Sequence, residues 1–170
     1  MISVRPAKPD EWQTYRDLRL RALLDSPDAF GSAHEAEATR SDAMWSSRVA
    51  ETTSSAKDRL LLAFDHDTAC GLIWCRLSDD EPAAAHLFQM WVDPATRGMG
   101  AGRALLHEAV SWAESVGARS VHLGVTAADT PAMRLYLACG FQPDGAAQPL
   151  REHSALMAQP MSLTLGTAAR

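Results

Sequence analysis

The sequence predicts one α/β domain built on a mixed β-sheet. Three apolar stretches, 60–64, 69–77 and 86–92, follow one another with only short turns between them, which favours antiparallel pairing of neighbouring strands. An amphipathic helix separates the last of them from the apolar stretch 120–125, and a strand, helix, strand unit favours a parallel crossover. With 170 residues, of which 46% are hydrophobic, the chain is long enough for one sizeable core.

The first part of the chain predicts a short apolar strand followed by two helices. Asp10 stands where the N-cap of the first helix is expected. The stretch 29–37 predicts a loop, and Ser41 then stands at the N-cap of the second helix. Because residues 51–57 are rich in Ser and Thr, they predict an exposed loop before the first of the three consecutive strands.

The last part of the chain predicts one more helix and a weak strand. Thr130 followed by Pro131 is typical of a helix start. Residues 155–165 supply strand material that Pro160 interrupts, and residues 166–170 are expected to fray. The order of elements is therefore β-α-α-β-β-β-α-β-α-β, in a single domain over residues 1–165.

Composition excludes several classes of partner. The net charge is −5 and Lys and Arg form no cluster, so no surface for nucleic acid is expected. No apolar run approaches the roughly 18 residues of a membrane span, and the start of the chain lacks the apolar core of a signal peptide. We therefore expect a cytoplasmic protein with no membrane partner. The three cysteines show no CxxC spacing, so no metal site is expected.

A glycine-rich turn joins the strand 86–92 to the amphipathic helix. It contains Arg97 and then Gly98, Gly100 and Gly102. The first backbone amides of a helix have no intrahelical partner and carry partial positive charge, so they attract phosphate when no side chain blocks the approach. Arg97 can add a charge-assisted hydrogen bond. A glycine-rich turn alone is a weak signal, and these residues leave a plain loop equally open.

Two blocks of this sequence resemble the GCN5-related N-acetyltransferase (GNAT) family. Residues 92–102, with Arg97 before the alternating glycines, resemble the family's pyrophosphate-binding motif. A second block downstream is similar to the pattern Asn-x-x-Ala-x-x-Leu-Tyr-x-x-x-Gly-Phe. It is carried by Ala132, Leu135, Tyr136, Gly140 and Phe141. The resemblance implies a mostly antiparallel central sheet with helices on both faces, in which the parallel fourth and fifth strands splay apart.

The resemblance also implies acetyl-CoA as the acyl donor, with no metal. In the family the glycine turn holds the pyrophosphate and the fourth strand pairs with the pantetheine arm. Cofactor contacts are therefore expected from Met90, Trp91, Val92, Arg97, Gly98, Met99, Gly100, Ala101, Gly102, Arg103 and Tyr136. Asp129 stands where the second motif usually has Asn, which adds a charge beside an anionic cofactor and leaves its contact doubtful.

Two residues are candidates for the proton transfers that the resemblance implies. Tyr136 matches the family's general acid by position, and a phenol with a pKa of about 10 suits a thiolate leaving group. The alternative is a core tyrosine. His86 occupies the place on the fourth strand where some members carry a glutamate, and an imidazole with a pKa of about 6.5 can accept a proton at neutral pH. The alternative is a solvated histidine.

The acceptor wall is expected from the segment between the first two strands, here Phe30, Glu35 and Glu37. Carboxylates beside an aromatic ring suit a primary amine, on a small molecule or a peptide. The alternative is that both carboxylates decorate a solvated loop. Two other functions stay open, a non-catalytic acyl-CoA-binding regulatory module and an acyltransferase for longer chains or peptide N-termini. Members of the family often form homodimers, but this sequence does not fix the oligomeric state.

Overall fold

The computed structural model describes residues 1–30, 33–81, 83–152 and 154–166, which form one sheet with helices on both of its faces. No helix within these ranges is long and apolar enough to cross a membrane. The strands are β1 (Ile2–Pro6), β2 (Asp58–Asp65), β3 (Thr68–Leu77), β4 (Ala84–Val92), β5 (Ser120–Thr126), β6 (Gln142–Pro143), β7 (Gln148–Pro149) and β8 (Met157–Thr164). The helices are α1 (Trp12–Asp25), α2 (His34–Ala38), α3 (Asp42–Ser54), α4 (Ala101–Ser115) and α5 (Pro131–Ala138).

The sheet has the strand order β1-β2-β3-β4-β5-β8-β6, and β7 pairs with another part of β8. Every pairing is antiparallel except that of β4 with β5, so the predicted mixed sheet is confirmed. These two parallel strands pair only where Ala84 to His86 lie opposite Ser120 to His122. Beyond His86 the two strands separate, which is the splay that the family resemblance implied.

The alternation of β2 distributes its side chains between two cores. Leu60 and Leu62 pack in the cluster that α1 and α3 cover, whereas Leu61 and Ala63 pack in the cluster beneath α4. Successive side chains of a strand point to opposite faces, so a continuous apolar run is expected in a sheet that is covered on both sides. The prediction of helices on both faces is therefore confirmed.

A β-bulge deforms β4 where it approaches the splay. The pairing of β3 with β4 shifts register between Leu72 and Trp74, and Gln89 adopts a left-handed backbone conformation with φ of 63°. A bulge leaves one residue unpaired and bends the strand. The hydroxyl of Tyr15 on α1 donates a hydrogen bond of 2.7 Å to Oε1 of Gln89. Helix α1 is thereby attached to the bulge.

Two local predictions in the first third of the chain were wrong, one at Asp10 and one at residues 51–57. Asp10 does not cap α1, because one turn of 3-10 helix (Pro9–Glu11) precedes the α-helix, which begins at Trp12. The predicted loop 51–57 is helical as far as Ser54. The three hydroxyl side chains of that last turn donate to carbonyl groups four residues earlier, so their polar groups are satisfied without leaving the helix.

The predicted loop 29–37 contains the short helix α2, and its residues 31 and 32 lie outside the described residues. The caps predicted at the next two helix starts are confirmed. The hydroxyl of Ser41 accepts from the amide of Met44, and that of Thr130 accepts from the amide of Met133. In the expected frayed tail, residues 167–170 also lie outside the described part of the chain.

Pro160 does not interrupt the last strand. It lies within β8 opposite Gly124 of β5, and its carbonyl accepts a hydrogen bond of 2.8 Å from the amide of Asp144. A proline removes only one donor from a ladder, and its neighbours on both sides stay paired here. The strand therefore continues across the proline.

Candidate active site

The splay of β4 from β5 opens a cleft of about 1550 Å³. Its walls come from these two strands, the glycine turn, the start of α5 and the segment after α1. It is lined by most of the predicted site residues, namely Phe30, Glu37, His86, Met90, Trp91, Val92, Arg97, Gly98, Gly100, Ala101, Gly102, Arg103 and Tyr136. Three others, Glu35, Met99 and Asp129, are exposed and are not among the lining residues.

The glycine turn forms a cradle of backbone amides at the N-terminus of α4. Gly98 and Gly100 have φ values of 88° and 89°, and a Cβ at either would meet nothing within 4 Å. No side chain caps α4. The amides of Gly98, Gly100, Ala101, Gly102 and Arg103 make no hydrogen bond to any other described residue. Unpaired amides at a helix N-terminus, open to the cleft, fit the charge and the space needs of a diphosphate.

Gly102 has a different role from the two glycines before it. A Cβ there would lie 3.3 Å from Cδ2 of Leu135 and 3.3 Å from Cε of Met90. This glycine therefore allows α4 to pack closely against α5 and β4. Its neighbours hold the first turn of α4 in place beside the cleft.

The second half of β4 offers an unpaired edge to the same cleft. On one side the strand pairs with β3, whereas within the described chain its pairing with β5 ends at His86. The backbone of residues 87–92 on that side is consequently open to an extended ligand, which can pair with it as an added strand. This edge and the glycine cradle adjoin each other at Val92.

Asp25, at the end of α1, connects the open strand with the glycine turn. Its Oδ2 accepts hydrogen bonds from Nε1 of Trp91 at 3.0 Å and from Nη2 of Arg97 at 2.8 Å. Hydrogen bonds from Trp91, Ser26 and Arg97 lower the pKa of this carboxyl below its ordinary value. The side chain of Arg97 also donates to the carbonyl of Val92, so it connects the glycine turn with the end of β4. Sequence reasoning missed Asp25, because it lies 66 residues from Trp91 and has no local pattern.

Tyr136 of α5 lies at the wall of the cleft with only 6% of its surface exposed. Its ring packs edge-on against Phe141 with a centroid distance of 5.9 Å. Burial raises the pKa of the Tyr136 phenol above its ordinary value, so the hydroxyl stays protonated over the physiological range. Among the described residues it has no hydrogen-bond partner. It is available to donate a proton to a group in the cleft.

His86 occupies the last paired position of β4, opposite His122 of β5, and both line the cleft. The ring centroids are 5.3 Å apart in a stacked arrangement. Burial and the neighbouring His122 lower the pKa of His86 below its ordinary value, so the ring is neutral and can accept a proton near pH 7. His122 is held by Ser120, with Oγ and Nε2 separated by 2.9 Å. Its other nitrogen, Nδ1, lies 4.0 Å from a carboxylate oxygen of Asp144.

The predicted acceptor wall differs in charge from what the sequence suggested. Glu37 is 2% exposed, and its carboxylate accepts from Nε and Nη2 of Arg19 at 3.0 and 2.8 Å. Arg40 is a second cation, with Nη1 at 3.2 Å from Oε1 of Glu37. Phe30 is buried beneath the guanidinium of Arg19, whose carbon lies 5.1 Å from the ring centroid. Of the two expected carboxylates, only Glu37 reaches the cleft, and its charge is already paired.

Asp129 and Met99 are not among the residues that line the cleft. The carboxylate of Asp129 forms an exposed ion pair of 3.3 Å with Arg134, and Met99 is exposed. Asp129 therefore adds no charge to the lining of the cleft. No group of three or more metal-ligating side chains lies together within the described ranges.

The cleft, its amide cradle and the splayed strands agree with the result of comparison with known proteins. Residues 12–141 match the model of the Acetyltransferase (GNAT) family. The match covers well over half of the chain, and the chain belongs to this family.

The individual relatives share a limited part of their sequence with this chain. A mycothiol acetyltransferase from Sanguibacter keddieii is 28% identical over 145 residues, which are 82% of this chain and 43% of that protein. The chain spans less than half the length of the curated relatives that it matches. A GCN5-related N-acetyltransferase from Kribbella flavida has the same fold, with a TM-score of 0.78, 24% identity and coverage of 96% of this chain and 98% of that one. A phosphinothricin acetyltransferase from Sinorhizobium meliloti, solved with acetyl-CoA, also has this fold. Its TM-score is 0.80, with 20% identity and coverage of 99% of this chain and 90% of that one.

Proposed function

We propose that this protein transfers an acetyl group from acetyl-CoA to a primary amine by direct attack of the amine on the thioester. The observation that carries the proposal is the convergence of four features on one cleft. The amide cradle, the open edge of β4, the protonated phenol of Tyr136 and the neutral imidazole of His86 all line it. Membership of the acetyltransferase family supports the same reaction.

Acetyl-CoA supplies the acyl thioester, and the chain supplies the site that binds and orients it. The amides at the start of α4 hold the diphosphate, and the backbone of Met90 to Val92 pairs with the pantetheine arm. A backbone amide near Trp91 or Val92 polarises the acyl carbonyl, which stabilises the developing negative charge on oxygen. Arg97 and Asp25 keep the cradle and the strand in register with each other.

We assign the two proton transfers to His86 and Tyr136, which line the same cleft. An imidazole nitrogen of His86 accepts a proton from the attacking ammonium, directly or through water. The new bond forms between nitrogen and the acyl carbon, the bond between that carbon and sulfur breaks, and Oη of Tyr136 protonates the departing sulfur. After attack the nitrogen still carries one proton more than the product amide, and the Tyr136 phenolate takes that proton, directly or through water. Because burial raises the pKa of the phenol, its ionised form is a strong base and recovers the proton readily.

The acceptor is a primary amine on a small molecule or a peptide end. The relatives named mycothiol acetyltransferases add mycothiol-related amines to the compounds that should be tried. Phe30 and the ion pair of Arg19 with Glu37 that lies over its ring form one wall of the acceptor region. We place Glu35 outside it, because this residue is exposed and does not line the cleft.

A thiol-release screen with acetyl-CoA and a panel of amine classes tests the proposal. We expect amine-dependent release of coenzyme A with at least one class, and acetylated amine as the second product. Propionyl- and succinyl-CoA serve as matched donors that report the acyl preference. Tight binding of acetyl-CoA with no thiol release for any amine would instead favour a non-catalytic acyl-CoA-binding module.

A further inference from the structure

An arginine cluster lies on the acceptor side of the cleft, formed by Arg19 of α1, Arg40 between α2 and α3, and Arg48 of α3. All three line the cleft, and Glu37 is the one carboxylate that the structure places among them. Arg48 has no carboxylate within ion-pair distance in the described part of the chain. The cluster therefore carries positive charge that the described residues do not fully compensate with ion pairs.

The most buried member of the cluster has an unsatisfied donor. Arg19 is 3% exposed, and two of its nitrogens bind Glu37, but the third, Nη1, has no hydrogen-bond partner among the described residues. Nη1 of Arg40 is close enough to Glu37 for an ion pair and is not aligned for a hydrogen bond. Buried charged donors without partners are costly, so a ligand that accepts from them is strongly favoured.

Aromatic rings fix the directions of these guanidinium groups. Arg19 lies over the ring of Phe30 at 5.1 Å, and Arg40 lies over the ring of Trp45 at 5.6 Å. Trp45 in turn packs edge-on against Tyr15. Because the side chains are held in place before any ligand arrives, binding an anion there requires little reordering.

The cluster lies beside the place where the acyl group is expected. Tyr15 and Arg19 are four residues apart on α1 and therefore share one face of the helix. The hydroxyl of Tyr15 donates a hydrogen bond to Gln89 at the bulge of β4. At the end of the same helix, Asp25 accepts a hydrogen bond from Arg97 of the glycine turn. Arg19 lies between them, about 9 Å along the helix axis from Asp25.

We propose that the acceptor amine carries an oxyanion, such as the carboxylate of an amino acid, which the cluster of Arg19, Arg40 and Arg48 binds. This inference rests on the proposed function, because it names the chemical class of its acceptor. Arginine presents planar pairs of donors that match the oxygens of a carboxylate or a phosphonate. Asp28 and Asp144 also line the cleft, so the same cleft offers negative charge to the cationic amine.

Matched pairs of amines test the inference. L-amino acids are compared with their carboxamides, and 2-aminoethylphosphonate with ethanolamine, by kcat/KM for thiol release in the presence of acetyl-CoA. Calorimetric titration of the same compounds into protein loaded with coenzyme A gives affinities that do not depend on turnover. We expect the anionic member of a pair to be preferred about 10- to 100-fold, as charge-assisted hydrogen bonds predict. The carboxylate and phosphonate arms identify which oxyanion fits.

Three variants assign the preference to the cluster. Arg40→Gln and Arg48→Gln should each remove most of it, and both leave the buried pair of Arg19 and Glu37 intact. Arg16→Gln, on α1 like Arg19 but outside the cleft, is the matched control and should retain the preference. The inference is overturned if the carboxamides bind as well as the carboxylates or better. It is also overturned if the preference survives in the double variant Arg40→Gln, Arg48→Gln. Neither result contradicts acetyl transfer. Absence of thiol release with every amine overturns the proposed function, and the calorimetric comparison still decides the anion site.

Discussion

His86 and His122 stack across the last paired position of the two parallel strands, with ring centroids 5.3 Å apart. The pair stands at the vertex from which the cleft opens. A positive charge on His122 disfavours one on His86, so His122 contributes, after burial, to the lowered pKa of His86.

The acid limb of the pH profile should report His86. We expect kcat/KM to fall only below about pH 6.5, because a base of lowered pKa stays neutral to lower pH. In His122→Asn one cause of the lowered pKa of His86 is removed, and the acid limb should move to higher pH. The measurement is kcat/KM against pH with a saturating thioester.

Replacing His86 itself should lower turnover by about 10²- to 10⁴-fold and abolish this limb. His107→Gln, on the exposed face of α4, is the matched control and should leave the profile unchanged. An acid limb that persists at the same pH in His86→Gln would show that another group titrates.

Removing the phenolic hydroxyl in Tyr136→Phe should separate chemistry from binding. The residue is buried against Phe141, so the phenylalanine ring fills nearly the same space and the fold should be retained. We expect kcat to fall about 10²- to 10⁴-fold, with little change in the affinity for acetyl-CoA. The rate of thiol release measures kcat, and equilibrium titration measures the affinity for acetyl-CoA. Full activity in this variant would remove Tyr136 from the mechanism.

Two glycines that flank α4 allow a paired test of the amide cradle. Gly100 before the helix and Gly117 after it have φ values of 89° and 98°, and a Cβ at either would meet nothing within 4 Å. Alanine at either position is strained by a similar amount, about 1 to 2 kcal/mol. Only Gly100→Ala places a methyl group in the cradle, so only this variant should lose affinity for acetyl-CoA. Equal affinities in the two variants would contradict the assignment of the cradle to the diphosphate.

The interactions of Asp25 should contribute to stability in a pH-dependent way. Its pKa is lowered in the folded state, so its stabilising contribution is present above the ordinary carboxyl pKa of about 3.9 and is lost as the pH falls through the folded value. Asp25→Asn should lower the free energy of unfolding near pH 7 by at most about 1 kcal/mol, because solvent screens this partly exposed group. Denaturant titrations at pH 7 and pH 3 test this. A deficit of the same size at both would contradict it.

Local patterns were enough to predict the sheet and the cradle. The apolar run of β2 and the spacing of Gly98 and Gly100 are properties of short stretches. The structure has the strand, and both glycines adopt the positive φ that glycine permits. The charge of the acceptor wall could not be predicted in this way. Glu37 resembles an exposed carboxylate until Arg19, 18 residues earlier, is brought against it by the packing of α1 on α2. The bulge at Gln89 likewise depends on a register shift between two strands.

Similar reasoning explains the error at the end of α3. A run of Ser and Thr indicates a loop when only propensity is considered. In the fold, Val49 and Trp45 of the same helix are buried against the sheet. This tertiary packing outweighs the propensity, and the hydroxyl groups bond back to the helix.

The most direct test of direct acetyl transfer is the stoichiometry of one reaction. Acetyl-CoA, the wild-type protein and an accepted amine are mixed, and coenzyme A thiol, acetylated amine and intact protein mass are measured together over time. Direct transfer predicts equal amounts of thiol and acetylated amine, no thiol without amine, and a protein of unchanged mass throughout. Thiol released before amine is added, with a protein heavier by one acetyl group, would contradict it.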